Sequence, residues 1–287
     1  MKQINKDLIE KIKDEHLNYC SSLPGIKKLS ISNENMRILF IEDPFDFNLP
    51  VPHTKFDFIQ KYKNYDFEAQ YNTFRKSTNK IWNGVELIKT LNVQVCPYCG
   101  INYFSTVSKY KGNKISVATF DHYLPKETYG MLALNLYNLV PCCKNCNSTF
   151  KGKENKLIVH PFFYSIEENI KFKLESNKAI EFILDDSTEL KINIESKSND
   201  AQFNFLFTEH EKVIALKSRY EYFQGIAKST IKKKMYYNQA YIEELTEYPD
   251  LNLKEDEIKQ MLLRQDIFNE DEPFLKFKND IWDDFNV

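Results

Sequence analysis

The chain has 287 residues, of which 42% are hydrophobic, enough for one large domain or two smaller ones with a buried core. Its 39 basic and 41 acidic side chains give a net charge of −2, which excludes a uniformly basic protein. No stretch of about eighteen apolar residues occurs, so the sequence predicts no membrane span.

The first segment, residues 1–95, is expected to be mostly helical. Apolar residues recur at helical spacing in residues 5–19, and helical patterns return between Thr54 and Leu91. Residues 21–54 contain two stretches rich in helix breakers, from which we expect irregular structure. The N-terminus is charged and lacks the apolar core of a signal peptide, so we expect a cytoplasmic protein with reduced cysteines.

Two cysteine pairs frame the central segment of the chain. Cys96 and Cys99 are separated by two residues, and the same gap occurs downstream between Cys143 and Cys146. A Cys-x-x-Cys turn brings two thiolates to one ion, and two such turns provide the four ligands of a structural zinc site. We therefore predict that these four residues hold a structural Zn²⁺ and that the adjacent Cys142 packs as a small apolar side chain.

Between the cysteine pairs, residues 101–110 and 114–120 have the alternating pattern of a β-hairpin. Asp121 and His122 follow directly, and we expect them on a loop just past the strand, because consecutive residues of an extended strand point to opposite faces. The whole segment, residues 96–156, carries a net charge of +5, which leaves −7 for the rest of the chain. A polyanion is therefore a suitable ligand, with a solvated lysine-rich face as the alternative.

The second half of the chain combines strands and helices. Residues 157–197 contain three short alternating runs, which predict a small antiparallel β meander. From 198 to 287 the pattern is helical, with breaks expected at Gly225 and in the stretch EYPDLN. The amphipathic residues 274–285 close the chain. The predicted fold class is therefore α+β, with the zinc-bound segment inserted between helical regions.

The order of the motifs in the central segment resembles the signature of HNH endonucleases, also called ββα-metal or His-Me finger nucleases. That signature runs C-x-x-C, D-H, N-L-V-P, C-x-x-C-N and K-G. Its positions are all present here: Cys96, Cys99, Asp121, His122, Asn138, Cys143, Cys146, Asn147, Lys151 and Gly152. One departure is that Ser148, Thr149 and Phe150 separate the asparagine from the lysine, where many family members have two residues.

The resemblance implies a phosphodiester hydrolase in which Asp121 and Asn147 bind a catalytic Mg²⁺ or Mn²⁺. His122 is then the general base, and Asn138 orients it or fixes its loop. Since an unperturbed imidazole has a pKa of ~6.5, activity is expected to rise through about pH 6–7. Four lysines are candidate phosphate contacts: Lys126, Lys144, Lys151 and Lys153.

A looser resemblance extends beyond the central segment to the HNH subunit of Septu-type anti-phage systems, which has relatives associated with retrons. It rests on DHYLPK, on YNLVPCCKNCNSTFKG, on HPFF at residues 160–163 and on PFLKFKNDI. This resemblance implies a DNA-cleaving defence effector that works beside an ATPase of the ABC/SMC type. The acidic helical part after Asp200, including the apolar side chains of residues 274–285, is then a candidate docking surface.

Two alternatives remain open at this point. RNA is a rival substrate, because phosphate contacts position a nucleic acid without specifying its sequence. A zinc-stabilised module that binds nucleic acid without cleaving it would need the cysteines and lysines but not Asp121, His122 or Asn147.

Overall fold

The computed structural model describes nine stretches of the chain. These are residues 1–46, 53–54, 61–76, 82–108, 114–152, 156–175, 189–248, 252–265 and 271–285. The fold is of the α+β class, and each strand among the described residues belongs to a two-stranded antiparallel sheet. The chain divides into two units, which are Met1–Ile166 with Asn199–Ile214, and Glu167–Ser198 with Ala215–Val287.

Helices open the first unit. They are α1 (Lys6–Ser22), α2 (Pro24–Lys27) and α3 (Asn33–Phe40). α1 confirms the helix expected over residues 5–19. The irregular structure expected over residues 21–54 is wrong at α3, where the Ser32 side chain caps the first turn. Leu39 and Phe40 are buried and hold the end of this helix in the core.

The strands β1 (Phe45–Asp46) and β2 (His53–Thr54) pair with each other. They precede α4 (Glu68–Lys76) and α5 (Gly84–Thr90), which confirm the helical pattern expected in this part of the chain. At the start of α5 the missing side chain of Gly84 lets the Phe120 ring approach, since an added Cβ would lie 3.0 Å from that ring.

The central segment forms two hairpin-like strand pairs and a π-helix. The elements are β3 (Thr106–Ser108), β4 (Lys114–Ser116), β5 (Thr119–His122), β6 (Leu139–Cys142) and the π-helix Asn145–Lys151. β3 pairs with β4 and β5 pairs with β6. Residues 130–143, which include the return from β5 to β6, are buried without interruption and therefore belong to the core of the unit.

After α6 (Ile166–Asn169), the helix α7 (Ala201–Ile214) belongs to the first unit and packs against the π-helix. His210 of α7 is buried, and its Nε2 lies 2.8 Å from the backbone oxygen of Tyr98, between the first two cysteines. The central segment is therefore held by elements from both sides of it in the sequence.

The second unit contains β7 (Ile170–Leu174) and β8 (Ile192–Ser196), which pair antiparallel and confirm two runs of the expected meander. The middle run, AIEFILDD, lies outside the described residues. Helices complete the unit: α8 (Leu216–Tyr222), α9 (Gln224–Tyr236), α10 (Gln239–Glu247), α11 (Glu255–Leu263) and α12 (Leu275–Asp284). The break expected at Gly225 falls at Phe223 instead. No helix in the described stretches has the length and apolar character that a membrane span requires.

The closing helix α12 packs against β7. The carboxylates of Asp280 and Asp284 accept hydrogen bonds of 2.9 Å from backbone amides of that strand. Phe277 and Trp282 are buried. The expectation that residues 274–285 offer apolar anchors to a partner protein is therefore wrong for these side chains, because they are covered within their own unit.

His16 on α1 is a buried histidine of the first unit with both ring nitrogens bonded. Its Nε2 lies 2.7 Å from the Leu134 carbonyl oxygen, and its Nδ1 lies 3.1 Å from Trp82 Nε1. Because an indole N–H only donates, Nδ1 accepts and Nε2 carries the proton, so the ring is neutral. Burial lowers the pKa of His16 to about 4, against the opposing effect of the Leu134 carbonyl.

We predict that His16 makes the protein less stable in acid. Its folded-state pKa lies below its unfolded value of ~6.5, so the unfolded state binds more protons and stability falls as the pH drops from about 6.5 to about 4. Between pH 7 and pH 5 this residue should remove roughly 2 kcal/mol. Urea denaturation of the wild type and the His16→Gln protein at both pH values measures the effect. A difference between the two proteins that does not change with pH would contradict the prediction.

Candidate functional site

The four predicted zinc ligands lie together in the first unit. The Sγ atoms of Cys96, Cys99, Cys143 and Cys146 are all within 4.8 Å of one another, and the four residues are buried. Cys142 is outside this cluster, and its Sγ lies 3.9 Å from Thr119 Oγ1. Four convergent thiolates are the ligand set of structural zinc, so these cysteines can hold one Zn²⁺ ion.

The surroundings of the cysteines suit thiolates. The backbone N–H of Cys143 lies 3.4 Å from Cys96 Sγ, and the N–H of Cys146 lies 3.4 Å from Cys143 Sγ. The side-chain amide of Asn102 donates to Cys143 Sγ over 3.3 Å. Gly100, with a φ of 65°, adopts the left-handed conformation that closes the first cysteine turn. Such N–H donors stabilise negative charge on sulfur, which supports the fit to zinc.

Asp121 and His122 are the last two residues of β5, so the expectation that they lie on a loop past the strand is wrong. Pairing of β5 with β6 extends to both residues, with Asp121 opposite Val140 and His122 opposite Leu139. Their side chains consequently have different partners, as expected for neighbours on an extended strand.

Asp121 forms a buried ion pair with Lys151 at the end of the π-helix. Lys151 Nζ lies 2.8 Å from Asp121 Oδ1, and both side chains are at most 3% exposed. The hydroxyl of Tyr98 donates to Asp121 Oδ2 over 2.8 Å. Lys151 Nζ also donates to the backbone oxygens of His122 and Tyr123, at 3.0 and 3.2 Å. One ammonium group therefore holds three consecutive residues of the strand end.

This geometry corrects the role expected for Lys151, which is buried and cannot contact a phosphate at the surface. Lys126 forms ion pairs with Glu68 and, at 3.6 Å, with Glu127. Lys144 is exposed on the second cysteine turn, as a phosphate contact would have to be. Lys153 lies outside the described residues.

Asp121 and Asn147 do not fit a divalent ion in the arrangement described. Both carboxylate oxygens of Asp121 already accept hydrogen bonds, and one of the donors is a cation. Mg²⁺ requires an octahedral shell and retains several of its waters, for which a buried carboxylate bonded to an ammonium group leaves no room. The amide Nδ2 of Asn147 donates to Thr119 Oγ1 over 3.0 Å and to the backbone oxygen of Phe120 over 2.9 Å. Asn147 thus fastens the π-helix to β5.

His122 lies on the other side of the strand, with one ring nitrogen bonded. Its Nε2 is 3.1 Å from the Ala133 carbonyl oxygen, so Nε2 carries the proton and Nδ1 is the acceptor. No residue in the described stretches bonds to Nδ1. The Tyr71 ring meets the imidazole edge-on, with 4.4 Å between ring centroids.

The pKa of His122 changes the expected pH dependence. Burial lowers this pKa to about 4, although the Ala133 hydrogen bond and the charge of Asp121 oppose that effect. The imidazole is therefore neutral throughout the range from about pH 5.5 upward. The rise in activity expected near pH 6–7 moves to about pH 4.

Asn138 fixes the backbone around His122 without touching its ring. Its Oδ1 accepts from the Leu124 amide over 2.7 Å, and its Nδ2 donates to the backbone oxygens of Leu124 and Leu132, at 3.2 and 3.1 Å. Leu132 directly precedes Ala133, whose carbonyl accepts from His122. Of the two roles considered for Asn138, the geometry corresponds to fixing the loop.

Two tyrosines of the site were not identified from the sequence. Tyr98 stands inside the first cysteine turn, where its position beside the zinc ligands was visible but its contact with Asp121 was not. Tyr71 belongs to α4, and its spacing is that of an ordinary apolar helix face. Both contacts join residues 23 or more positions apart, which no local pattern encodes.

The chain matches no protein-family model, no curated protein and no solved structure. Three groups of the site can take part in chemistry. These are a four-cysteine centre suited to zinc, a buried ion pair, and a neutral imidazole with one accepting nitrogen.

We predict that the purified protein carries about one zinc ion per chain. Cys143→Ala should lose the ion and unfold the first unit at least in part, because ligand binding and folding are coupled in such sites. Cys142→Ala is the matched control, and it should retain the ion because its Sγ is outside the cluster. Elemental analysis of the three proteins decides. If the Cys142 variant lost zinc and the Cys143 variant kept it, Cys142 would be the ligand in place of Cys143, and the prediction would be wrong.

Proposed function

We propose that this chain is an HNH-type endonuclease that hydrolyses phosphodiester bonds, with His122 as the general base. The observation that carries the proposal is the state of the His122 ring. Its Nε2–H is held by the Ala133 carbonyl, and no described residue donates to Nδ1, so this acceptor can receive a hydrogen bond from a water molecule. A general base needs this combination of a neutral ring, a fixed orientation and an acceptor without a protein donor.

The surrounding fold supports the same proposal. β5, β6 and the π-helix follow one another as two antiparallel strands and a helix. β5 and the π-helix carry Asp121, His122, Cys146, Asn147 and Lys151 of the HNH-like signature. The cysteine cluster joins the start of the π-helix to the first cysteine turn. Zinc in this cluster would have a structural role, since four protein ligands leave no open position for a substrate.

In the proposed reaction, His122 accepts a proton from a water molecule through Nδ1 as the water oxygen attacks phosphorus. The bond between phosphorus and the leaving oxygen breaks, and that oxygen takes a proton from solvent. The Ala133 carbonyl stabilises the imidazolium that forms, because a hydrogen bond to a charged donor is stronger than one to a neutral donor. Asn138 keeps this carbonyl in place through its bond to Leu132.

A catalytic Mg²⁺ or Mn²⁺ enters the proposal through the family resemblance alone. For Asp121 to bind such an ion, Lys151 would have to leave the carboxylate. The dependence of cleavage on added Mg²⁺ or Mn²⁺ tests this part of the proposal separately from the role of His122.

DNA is the proposed substrate, and the anti-phage role with an ABC/SMC-type ATPase is proposed from the looser resemblance. RNA remains the second candidate, because the basic central segment suits either polyanion.

Exposed aromatic side chains of the second unit are more suitable anchors for a protein partner than α12. They are Tyr222, Tyr236 and Tyr248, which are 83%, 78% and 57% exposed.

We predict that His122→Ala reduces cleavage by about 10²–10⁴-fold, as for the loss of a general base. Zinc content should stay unchanged, because His122 is not a ligand. The measurement is cleavage of plasmid DNA and of structured RNA, with and without added Mg²⁺ or Mn²⁺. His16→Gln is the matched control, since it also alters a buried histidine of the same unit and should cleave normally once folded.

The pH profile provides a second readout. Wild-type cleavage should be nearly constant from about pH 5.5 to 8, because the pKa of His122 is about 4. Cleavage by the His122→Ala protein at the wild-type rate would contradict the mechanism, and the zinc-stabilised binding module would then be the better account.

A further inference from the structure

Helix α4, which lies outside the HNH-like segment, runs antiparallel to β5 and the loop that follows it. Three contacts establish this direction, because residue numbers that increase along α4 meet residue numbers that decrease along β5 and its loop. The pairs are Glu68 with Lys126 (ion pair), Tyr71 with His122 (4.4 Å between ring centroids) and Phe74 with Phe120 (6.4 Å). The helix therefore forms one side of the space next to the imidazole.

Arg75 follows Tyr71 by four positions and so lies on the same face of α4, about 5–6 Å further along the helix. Its side chain is exposed, and within the described stretches no carboxylate or other group binds its guanidinium. Burial raises the pKa of Tyr71 to about 12, and the positive charge of Arg75 opposes this rise. The guanidinium is therefore close enough to Tyr71 to interact with it electrostatically. An exposed cation that has no partner among the described residues thus lies within electrostatic reach of the ring that contacts His122.

Two lysines whose charges act on His122 are already engaged. Lys126 is paired with Glu68 and Glu127, and Lys151 is buried against Asp121. Arg75 differs from both because it is exposed and no carboxylate of the described stretches pairs with it. An unpaired guanidinium is well suited to a phosphate, since its planar fork can donate two parallel hydrogen bonds to two phosphate oxygens.

We propose that Arg75 binds a phosphate of the nucleic acid next to His122, so that α4 forms one wall of the substrate site. The proposal rests on the proposed nuclease function and extends it by a residue outside the motif. The role of Arg75 is to hold the substrate and to offset negative charge at the phosphate, whereas His122 activates the water.

The experiment compares Arg75→Gln with Lys76→Gln, a control that removes the same charge from the next position of the helix. Lys76 is also exposed but points about 100° away from Arg75 around the helix axis. Affinity for a fluorescent DNA duplex and for RNA is measured by anisotropy in a His122→Ala background, where cleavage should be about 10²–10⁴-fold slower. Cleavage rates are measured with His122 intact.

Arg75→Gln should weaken binding by roughly tenfold and lower the slope of log affinity against log salt by about 1. It should raise KM and leave the pH profile unchanged, and Arg75→Lys should restore part of the affinity. Lys76→Gln should stay close to the parent protein in affinity and KM. Thermal unfolding of all variants should be unchanged, because both side chains are exposed.

Equal effects of Arg75→Gln and Lys76→Gln on affinity would overturn the proposal, since only net charge would then matter. The proposal would also be overturned if Arg75→Gln has no effect on affinity or KM while the wild type cleaves and the His122→Ala protein cleaves far more slowly. If the wild type cleaves neither DNA nor RNA, the proposed nuclease function is contradicted separately from the proposal for Arg75. The anisotropy comparison still decides whether Arg75 contacts nucleic acid.

Discussion

The buried ion pair between Lys151 and Asp121 is the interaction on which the site depends. Lys151 ends the π-helix, and Asp121 stands near the end of β5, so the pair joins the cysteine-held helix to the strand that carries His122. Buried charges are tolerated when they are paired and hydrogen-bonded, and here Tyr98 and two backbone oxygens complete the set. Removing either partner would leave an uncompensated charge in the core.

The ion pair lies on the side of β5 that holds the structural groups, whereas the proposed general base His122 lies on the other side. On one side of β5, the cysteines position the π-helix, and Asn147 and Lys151 fasten that helix to the strand. On the other side, the imidazole of His122 takes no part in the ion pair and is oriented by the Ala133 carbonyl. A cation at Asp121 is thus already present as Lys151, and the role expected for Mg²⁺ at this carboxylate conflicts with the arrangement described.

Local patterns in the sequence were sufficient for part of this account. The spacing of Cys143 and Cys146 identified the correct cysteines, because a two-residue turn is a local property of the chain. The prediction that Asp121 and His122 follow the strand was wrong, because the end of β5 depends on pairing with β6, which is distant in the sequence. Lys151 is indistinguishable in sequence from a surface lysine, and its burial follows from contacts with residues about thirty positions away.

The most direct test of the central role of the ion pair is the free energy of unfolding of Lys151→Met, measured beside Lys144→Met in the presence of zinc. Both substitutions remove one lysine from the same part of the chain, but Lys144 is exposed. The Lys151 variant should lose about 3–5 kcal/mol, because the Asp121 carboxylate would remain buried without its cation. The Lys144 variant should change by less than about 0.5 kcal/mol. Equal and small losses for both variants would contradict the account.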